Sequence, residues 1–286
     1  MILIADSGST KCDWALVKPD VEGFELLKSR GFNPYFHDRK FINAELSSLP
    51  QFQRIKNEVT EIYFYGAGCS APDLNRRIEK GLKEFFINAE ILVDHDLKAA
   101  AYACYTGRPE IACILGTGSN SCFYDGSDLS EELPSLAYIL GDEASGSYFG
   151  KRILRSYFYK QMPEDLAKEL EQSFNVKKEV VIDHVYRQLN ANVYLASFMK
   201  FFSSHKEHPF VIEMISKGMR KFLIIHVLCF ENAKDVEVNF VGSIAYYFHD
   251  ILKKECEALG LHLNRVIKKP IDGLVEFHKQ YAVSAK

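Results

Sequence analysis

The sequence predicts an α/β chain that consists of two related halves. The chain opens with an apolar run at residues 2–5, the turn "DSGSTK" and a second apolar run at 12–17, which indicate two strands joined by a turn. The same arrangement returns in "IACIL", "GTGSN" and "SCFYD", from residue 111 onward. Because helical patterns follow each copy, we predict domains at 1–107 and 108–271, with a last helix at 272–286 that joins the first domain.

The first half continues with alternating strands and helices. A third strand is predicted at 24–29, and "EIYFYG" predicts a buried strand at 61–66. A helix is predicted in "PDLNRRIEKGLKEFF", since a proline stands at its start and Leu74, Ile78, Leu82 and Phe85 share one face. The strand "EILVD" and the alanine-rich helix of "DLKAAAYACY" complete this half.

The second half is mostly helical after its strand–turn–strand start. Apolar residues at helical spacing predict helices at 143–160, 163–173, 177–189, 194–203 and 209–231. The strand "VEVNFVG" then precedes a helix at 243–258 and the last helix from Asp272.

The composition limits the classes of function. A chain of 286 residues with 47% hydrophobic residues can bury an ordinary core. The net charge of −3 and a pI near 6.3 offer no basic surface for nucleic acid, and no apolar run has the length of a membrane span. The chain starts in a strand without a basic leader, so we expect a cytoplasmic protein with no nucleic-acid or membrane partner. The cysteines lack CxxC spacing and are expected to be reduced, packed thiols: Cys12, Cys69, Cys104, Cys113, Cys122, Cys229 and Cys256.

The two turns of small residues are candidate phosphate sites. Small side chains let the backbone approach a ligand, and backbone N–H groups and hydroxyls donate to anions. The donors are Gly8, Ser9, Thr10 and Lys11 in the first turn and Gly116, Thr117 and Gly118 in the second. Asp6 precedes the first turn and is predicted to hold Mg²⁺ through water. Each turn alone also fits an ordinary tight hairpin, and neither is a Walker loop.

A third glycine turn, "GAGCSA" at 66–71, fits the dinucleotide fingerprint between a strand and a helix. A nicotinamide site is therefore an alternative. We favour a turn near the substrate, formed by Gly66 and Gly68, because a hairpin with its own anion turn precedes this unit.

Four motifs resemble the sugar kinase, hexokinase and actin superfamily and, within it, the family of N-acetylglucosamine kinases and benzoyl-CoA-reductase-activator ATPases. "DSGSTK" and "GTGSN" resemble its phosphate loops, "LGDEASGSYFGKRIL" its Gly-Asp-Glu segment, and "FVGSIA", with Gly242 and Ser243, its adenosine loop. The resemblance implies two ribonuclease-H-like (actin-like ATPase) domains, each a mixed five-stranded sheet flanked by helices, with an ATP cleft between them and ATP and Mg²⁺ as cofactors.

The resemblance also implies residue roles. Asp96 resembles the catalytic base, with Asp94 as its rival; a helix N-cap is the structural alternative for Asp96. Asn33, Asn120 and Asp142 resemble residues that contact the sugar, and Gly66 is included with them because its turn is predicted to lie near the substrate. For Asn33 the alternative is a turn residue before Pro34, and for Asp142 and Glu143 it is favourable charge at a helix N-terminus.

The expected activity is that of an ATP-dependent N-acetylhexosamine kinase, with N-acetylglucosamine as first acceptor and N-acetylmuramic acid or glucosamine as alternatives. Two other classes stay open: an ATPase activator of a dehydratase or reductase, which would hold an iron–sulfur cluster, and a non-catalytic sugar sensor. The resemblance allows for a homodimer. Two departures concern specificity: Leu136-Ala137 stands where the family has Trp-Gly, and Gly242-Ser243 where it has Gly-Gly.

Overall fold

The chain forms two compact units in the computed structural model, which describes residues 1–8, 10–19 and 21–282. Unit 1 comprises Met1–Tyr105 and the segment from Pro270 onward, and unit 2 comprises Thr106–Lys269. Each unit contains one five-stranded sheet of mixed direction with helices packed against it. The α/β class and the five-stranded mixed sheets confirm the predicted fold class.

The sheet of unit 1 has the strand order β3-β2-β1-β4-β5. β2 is antiparallel to β1 and β3, whereas β1, β4 and β5 run parallel, so their carboxyl ends meet at one edge. The strands are β1 (Ile2–Ser7), β2 (Lys11–Val17), β3 (Glu25–Arg30), β4 (Glu61–Gly66) and β5 (Glu90–His95), and the helices are α1 (Arg39–Ser48), α2 (Pro50–Ile55), α3 (Pro72–Phe85) and α4 (Asp96–Cys104).

One face of this sheet packs on an aromatic core. The ring of Trp14 lies 5.4 Å from Phe52 and 5.8 Å from Phe64 between centroids, and all three side chains are buried. Such offset and edge contacts add to the burial of large apolar area. α1 and α3 cover this core, and the sequence analysis did not predict α1 or α2.

Unit 2 repeats this order as β8-β7-β6-β9-β10, with β6, β9 and β10 parallel. Its strands are β6 (Glu110–Leu115), β7 (Ser119–Tyr124), β8 (Leu129–Ser130), β9 (Glu237–Val241) and β10 (His262–Ile267). Its helices are α5 (Ala137–Leu140), α6 (Gly146–Phe158), α7 (Glu164–Ser173), α8 (Lys178–Tyr186), α9 (Ala191–Ser197), α10 (Met199–Ser204), α11 (Pro209–Phe222), α12 (Ser243–Tyr247) and α13 (His249–Leu259).

Three predicted helices are interrupted in the structure. The helix predicted at 194–203 is two helices that meet at Phe198, and the one at 243–258 is broken at Phe248. Both phenylalanines remain buried at the breaks, so the apolar period continues through them. The helix predicted at 209–231 ends at Phe222 and passes into a π-helical turn, Leu223–Val227. β10 was missed because most of its residues lie partly or fully exposed at the sheet edge.

The C-terminal segment returns to unit 1. Its helix α14 (Ile271–Phe277) is followed by a π-helical turn, His278–Ala282, so the helix predicted at 272–286 is not one regular α-helix over the described residues. A Cβ at Gly273 would lie 2.4 Å from the Ala103 carbonyl oxygen, which shows how closely α14 packs on α4. None of the described helices is long and apolar enough to span a membrane.

Candidate active site

A row of polar side chains crosses the sheet of unit 1 near the carboxyl ends of its parallel strands. In register, Asp13 faces Asp6, Asp6 faces Tyr65, and Tyr65 faces Asp94. Residues paired in this way point to the same face of a sheet. Asp13 is buried and Asp6 is half-buried. Burial raises the pKa of the neighbouring Cys12 thiol, and the charge of Asp6 adds to this effect.

The donor set fits a magnesium ion that shares its coordination with a substrate. Mg²⁺ prefers oxygen ligands and is commonly held by one or two carboxylates together with waters and substrate phosphates. Asp6 and Asp13 supply such carboxylates at the end of the first turn. Among the described residues, no three or more His, Cys, Asp or Glu side chains converge as a metal site. A bound phosphate would supply further oxygen ligands to an ion at Asp6.

Asp94 and Asp96 occupy different positions at the end of β5. Asp94 is engaged on both oxygens: one accepts from the Lys98 ammonium at 2.7 Å and the other from the His95 backbone N–H at 2.9 Å. Burial by itself would lower the pKa of Lys98, but the hydrogen bond to Asp94, together with the interactions with Tyr102 and the charge of Asp94, outweighs burial and the pKa is raised. Asp96 is the first residue of α4, and His95 is the N-cap, so the N-cap reading of Asp96 is wrong. Asp96 instead lies in the first turn, where the helix dipole stabilises a carboxylate.

The turn at Gly66–Ser70 lies close to these carboxylates. Burial raises the pKa of the Cys69 thiol to about 12, and the charges of Asp96 and then Asp94 contribute. A Cβ at Gly66 would lie 2.6 Å from the Phe64 ring and 2.9 Å from the Cys69 sulfur. Gly66 is therefore required by packing, and its own contribution to a sugar site stays a prediction.

Asn33 lies against the same turn. A Cβ at Gly68 would come within 3.1 Å of the Asn33 Oδ1 atom, and the positive φ of 84° at Gly68 also favours glycine. Asn33 Oδ1 accepts from the Tyr35 backbone N–H at 2.9 Å, which matches its alternative role as a turn residue. Within the described residues the Nδ2 group of Asn33 has no hydrogen-bond acceptor, so the side chain retains donors for a ligand.

The first glycine turn is stabilised by contacts with neighbouring backbone atoms. Gly8 N–H donates to the Lys11 carbonyl at 3.0 Å, and Thr10 and Lys11 are exposed. Ser9 lies outside the described residues. A Cβ at Gly31 would lie 2.0 Å from the Gly8 carbonyl oxygen, so glycine at 31 permits the contact that supports this turn.

The second turn rests on the start of α6. Gly116 N–H donates to the Gly118 carbonyl at 3.0 Å, while the N–H groups of Gly146 and Ser147 donate to the carbonyls of Gly116 and Thr117 at 2.8 and 3.1 Å. Asp142 Oδ1 accepts from Ser119 N–H at 3.2 Å and lies against Gly118. Burial raises the pKa of Asp142.

The helix predicted at 143–160 begins at Gly146, so Asp142 and Glu143 precede it and are not part of its first turn. Glu143 instead forms ion pairs with His226 at 3.0 Å and Lys221 at 3.2 Å. Burial alone would raise the pKa of Glu143, but these hydrogen bonds lower it. The sequence analysis missed His226 and Lys221. No local pattern links Glu143 to residues so distant, and the π-helical turn that contains His226 had no sequence marker.

Gly242 lies beside the second turn. Its φ is 126°, and a Cβ there would lie 2.2 Å from the Leu115 carbonyl and 3.2 Å from the Gly116 nitrogen. Gly242 thus stands between β9 and α12, next to Gly116, and Ser243 is the first residue of α12. Asn120 is directed elsewhere: its Nδ2 donates to Glu131 at 3.1 Å and its Oδ1 accepts from Ser121 N–H. Within unit 2, Gly242 therefore lies next to the second turn, whereas the Asn120 side chain is paired with the Glu131 carboxylate.

A cavity of about 170 Å³ opens beside Asp142 and Glu143. Leu136, one of the two residues that replace the family's Trp-Gly, lines it. So does Ser119, whose buried hydroxyl has no hydrogen-bond partner among the described residues. A buried hydroxyl without a partner is costly, which suits a group that hydrogen-bonds a ligand. Ser119 was not predicted from the sequence.

Three comparisons with known proteins were made, and the one with solved structures finds similar chains. A search with protein-family models finds no match, and a search of curated proteins finds none either. Among solved structures, a candidate N-acetylglucosamine kinase from Porphyromonas gingivalis is 35% identical, with a TM-score of 0.92 over 99% of this chain and 100% of that one. A candidate N-acetylglucosamine kinase from Chromobacterium violaceum is 14% identical, with a TM-score of 0.73 over 96% and 98%. A ROK-family glucokinase from Streptomyces griseus, solved with glucose and AMPPNP, is 13% identical, with a TM-score of 0.58 over 97% and 98%. The last two similarities concern the fold alone.

Proposed function

Because the chain belongs to the N-acetylglucosamine kinase family of the sugar kinase, hexokinase and actin superfamily, we propose that it transfers the γ-phosphate of ATP to a hydroxyl of an N-acetylhexosamine. N-acetylglucosamine is the first candidate acceptor. The observation that carries this proposal is the 35% identity to a candidate N-acetylglucosamine kinase over nearly all of both chains. The named site residues support it without fixing the sugar.

The two glycine turns are proposed to bind the phosphates of ATP. A Cβ at Gly8 would have its nearest neighbour at 3.8 Å and one at Gly116 at 4.0 Å, so neither glycine is required by packing. A close ligand explains glycine at both positions, since backbone N–H groups can then reach phosphate oxygens. Mg²⁺ would offset phosphate charge, and Asp6 with Asp13 would hold it. Gly242 and Ser243 are proposed to contact the adenosine.

Asp96 is proposed to accept the proton of the attacking sugar hydroxyl. A general base must reach that proton directly or through one water, and its carboxylate must be ionised at working pH. The position of Asp96 in the first turn of α4 favours the ionised form. Asp94, the rival, is committed to Lys98 and to the His95 backbone. Phosphoryl transfer otherwise requires positioning and charge stabilisation rather than covalent chemistry.

The sugar is proposed to contact Asn33 and Asp142, with further contacts from Asn120 and the Gly66 turn. Amide and carboxylate groups pair with sugar hydroxyls as donors and acceptors. Asn120 would have to exchange its hydrogen bond to Glu131 for one to the sugar. The partner that this function requires is a small amino sugar, and dimer formation is a separate proposal that gel filtration with light scattering would test.

The test is coupled ADP release with Mg-ATP and a panel of N-acetylglucosamine, N-acetylmuramic acid, glucosamine, N-acetylmannosamine and glucose, beside a reaction without sugar. Stimulation by an N-acetylated amino sugar is the expected result. ADP release that is the same with and without every sugar would contradict the kinase proposal and favour the ATPase activator. Sugar binding without any ADP release would favour the sensor.

A further inference from the structure

A second pocket, of about 380 Å³, lies in unit 1 outside the residues assigned so far. The segment 34–39 forms one side, and Arg77 and Lys80 of α3 form the other. Three of these lining residues are cationic, Arg39, Arg77 and Lys80, and the chain as a whole has a net charge of −3. The pocket is thus a local concentration of positive charge.

In the described part of the chain, the three cations of this pocket have no carboxylate partner. Among the described residues, Arg39, Arg77 and Lys80 take part in no ion pair; Arg77 donates only to the Pro34 carbonyl, at 3.4 Å. Asp38 is the single carboxylate of the lining, and one of its oxygens accepts from Phe41 N–H as the N-cap of α1. Burial, and then the charge of Arg30, lowers the pKa of His37, so this ring adds no positive charge near neutral pH.

Helix packing brings the three cations together. A Cβ at Gly81 would lie 2.8 Å from the Ile42 side chain and 3.2 Å from the Arg39 Cα atom, so α1 lies directly on α3 at this glycine. Arg77 and Lys80 are three residues apart on α3 and therefore share one face. The fold thus presents cations from two elements to one space.

The pocket adjoins the predicted sugar contact. Tyr35, which lines it, donates its N–H to Asn33 Oδ1, and its ring lies 3.2 Å from where a Gly68 Cβ would be. Tyr35 and Phe36 are 63% and 62% exposed, so two aromatic rings stand open at the same place. Aromatic rings pack on the apolar faces of sugars, and arginine pairs with carboxylates or phosphates through parallel hydrogen bonds.

We propose that this pocket, formed by Arg39, Arg77 and Lys80 beside Asn33, binds an acidic substituent of the sugar acceptor. The inference rests on the proposed kinase function for the identity of the acceptor, and within the N-acetylhexosamines it makes those that carry a carboxylate or phosphate bind more tightly than N-acetylglucosamine. N-acetylmuramic acid is N-acetylglucosamine with one added carboxylate-bearing ether, so the two sugars form a matched pair for testing this group.

The experiment is titration calorimetry of both sugars into the nucleotide-free full-length protein and its variants Arg77→Gln and Lys80→Gln. The control is Arg76→Gln, which removes the same charge from an exposed position on α3 that does not line the pocket. We expect N-acetylmuramic acid to bind about tenfold more tightly than N-acetylglucosamine. Each pocket variant should remove most of that difference and leave N-acetylglucosamine affinity within about twofold, whereas Arg76→Gln should change neither.

Equal affinity for the two sugars, binding of neither, or an equal loss in Arg76→Gln would overturn the inference. Competition by inorganic phosphate that is lost in Arg77→Gln would show that the pocket takes the anion itself. Turnover is measured separately by ADP release. If N-acetylmuramic acid binds through Arg77 but no sugar is phosphorylated, the kinase proposal fails and the pocket stands. If N-acetylglucosamine is phosphorylated and Arg77→Gln affects neither sugar, the pocket fails and the kinase stands.

Discussion

The two sheets carry different side chains in the row of paired residues that precedes the glycine turn. In unit 1 it reads Asp13, Asp6, Tyr65, Asp94 across β2, β1, β4 and β5. In unit 2 the corresponding row reads Asn120, Ile114, Val241, Ile267 across β7, β6, β9 and β10. The strand order and the turn position are repeated, but the carboxylates are not. In this row, the carboxylates are therefore confined to unit 1.

The turns that follow these rows are supported differently as well. The first rests on the backbone of Gly31, whereas the second rests on α6 and on Gly242. Next to the first turn, unit 1 therefore places carboxylates in the row of the sheet, whereas in unit 2 the same row carries none and the turn is supported by backbone contacts. The predictions below test this division, beginning with the largest effect.

The supporting glycines are expected to be essential for folding in both units. In Gly31→Ala and Gly242→Ala the new Cβ would lie 2.0 and 2.2 Å from a backbone oxygen, and φ at Gly242 is 126°. Each variant should lose about 4 kcal/mol of unfolding free energy or fail to fold, as measured by urea denaturation. Gly260→Ala is the control, since its φ is positive but nothing lies within 4 Å of the new atom, and it should lose only about 1 kcal/mol. Equal losses in all three variants would mean that the close contacts contribute nothing.

The side-chain chemistry of unit 1 is tested by Asp96→Asn. Removal of the proposed base should lower kcat about a thousandfold while the Kd for ATP stays within about twofold, because the triphosphate does not need that carboxylate. Asp94→Asn is the matched control, and it should lower kcat tenfold or less because the Asp94 carboxylate is engaged in a hydrogen bond from Lys98. A larger loss for Asp94→Asn than for Asp96→Asn, measured by the same ADP-release assay, would exchange their roles.

The first residues of β1 and β6 differ in whether they can titrate, and this difference predicts a pH dependence of stability that arises in unit 2. Ile2 begins β1, whereas the corresponding residue of β6 is the buried Glu110, whose pKa burial raises to about 8. The folded state holds this proton more tightly than the unfolded state, so the unfolding free energy falls as pH rises from about 4.5 to about 8.

The variant Glu110→Gln should lack this dependence. We expect it to be more stable than wild type at pH 9 by on the order of 2 kcal/mol and nearly equal at pH 5, in urea unfolding at both values. The difference between the two proteins is the readout, since other groups titrate in both. A constant difference at the two pH values would show that Glu110 titrates normally in the folded protein.

The smallest effects are expected at the turn glycines themselves. Gly8→Ala and Gly116→Ala have room for a Cβ, with nearest neighbours at 3.8 and 4.0 Å, so each should change unfolding free energy by less than about 1 kcal/mol. Both should raise the KM for ATP about tenfold, because the added methyl group would occupy space proposed for a phosphate. An unchanged KM in one variant would assign the phosphates to the other unit's turn alone.

Local patterns in the sequence predicted most of the fold. The strands around Asp6 and Gly116 were predictable because apolar runs and small-residue turns repeat, and the helix at Pro72 was predictable from its proline and apolar face. The breaks at Phe198 and Phe248 were not, since a buried phenylalanine satisfies the helical period on both sides of a break. The edge strand β10 was missed because it buries too little to show a pattern.

The candidate site was predictable only where its residues are close in sequence. The glycine turns, Asp96 and Asp142 were all named from motifs, and their roles stay predictions. The pairing of Glu143 with His226 arises from tertiary packing and a π-helical turn, neither of which has a local sequence pattern. The cationic pocket depends on Gly81, which allows two helices to approach, and a single glycine in a helical pattern does not reveal its neighbour.

The discontinuity of unit 1 has a consequence for synthesis on the ribosome. Unit 2 is one uninterrupted stretch, whereas unit 1 needs α14, whose Phe277 ring stacks on Tyr102 at 3.9 Å and whose following residue His278 hydrogen-bonds Tyr65 at 2.9 Å. Residues 1–105 emerge first but lack this cover until residues from 270 onward have been translated. The first unit to be synthesised is therefore the last to be completed, and its exposed sheet face is a candidate surface for chaperone binding during translation.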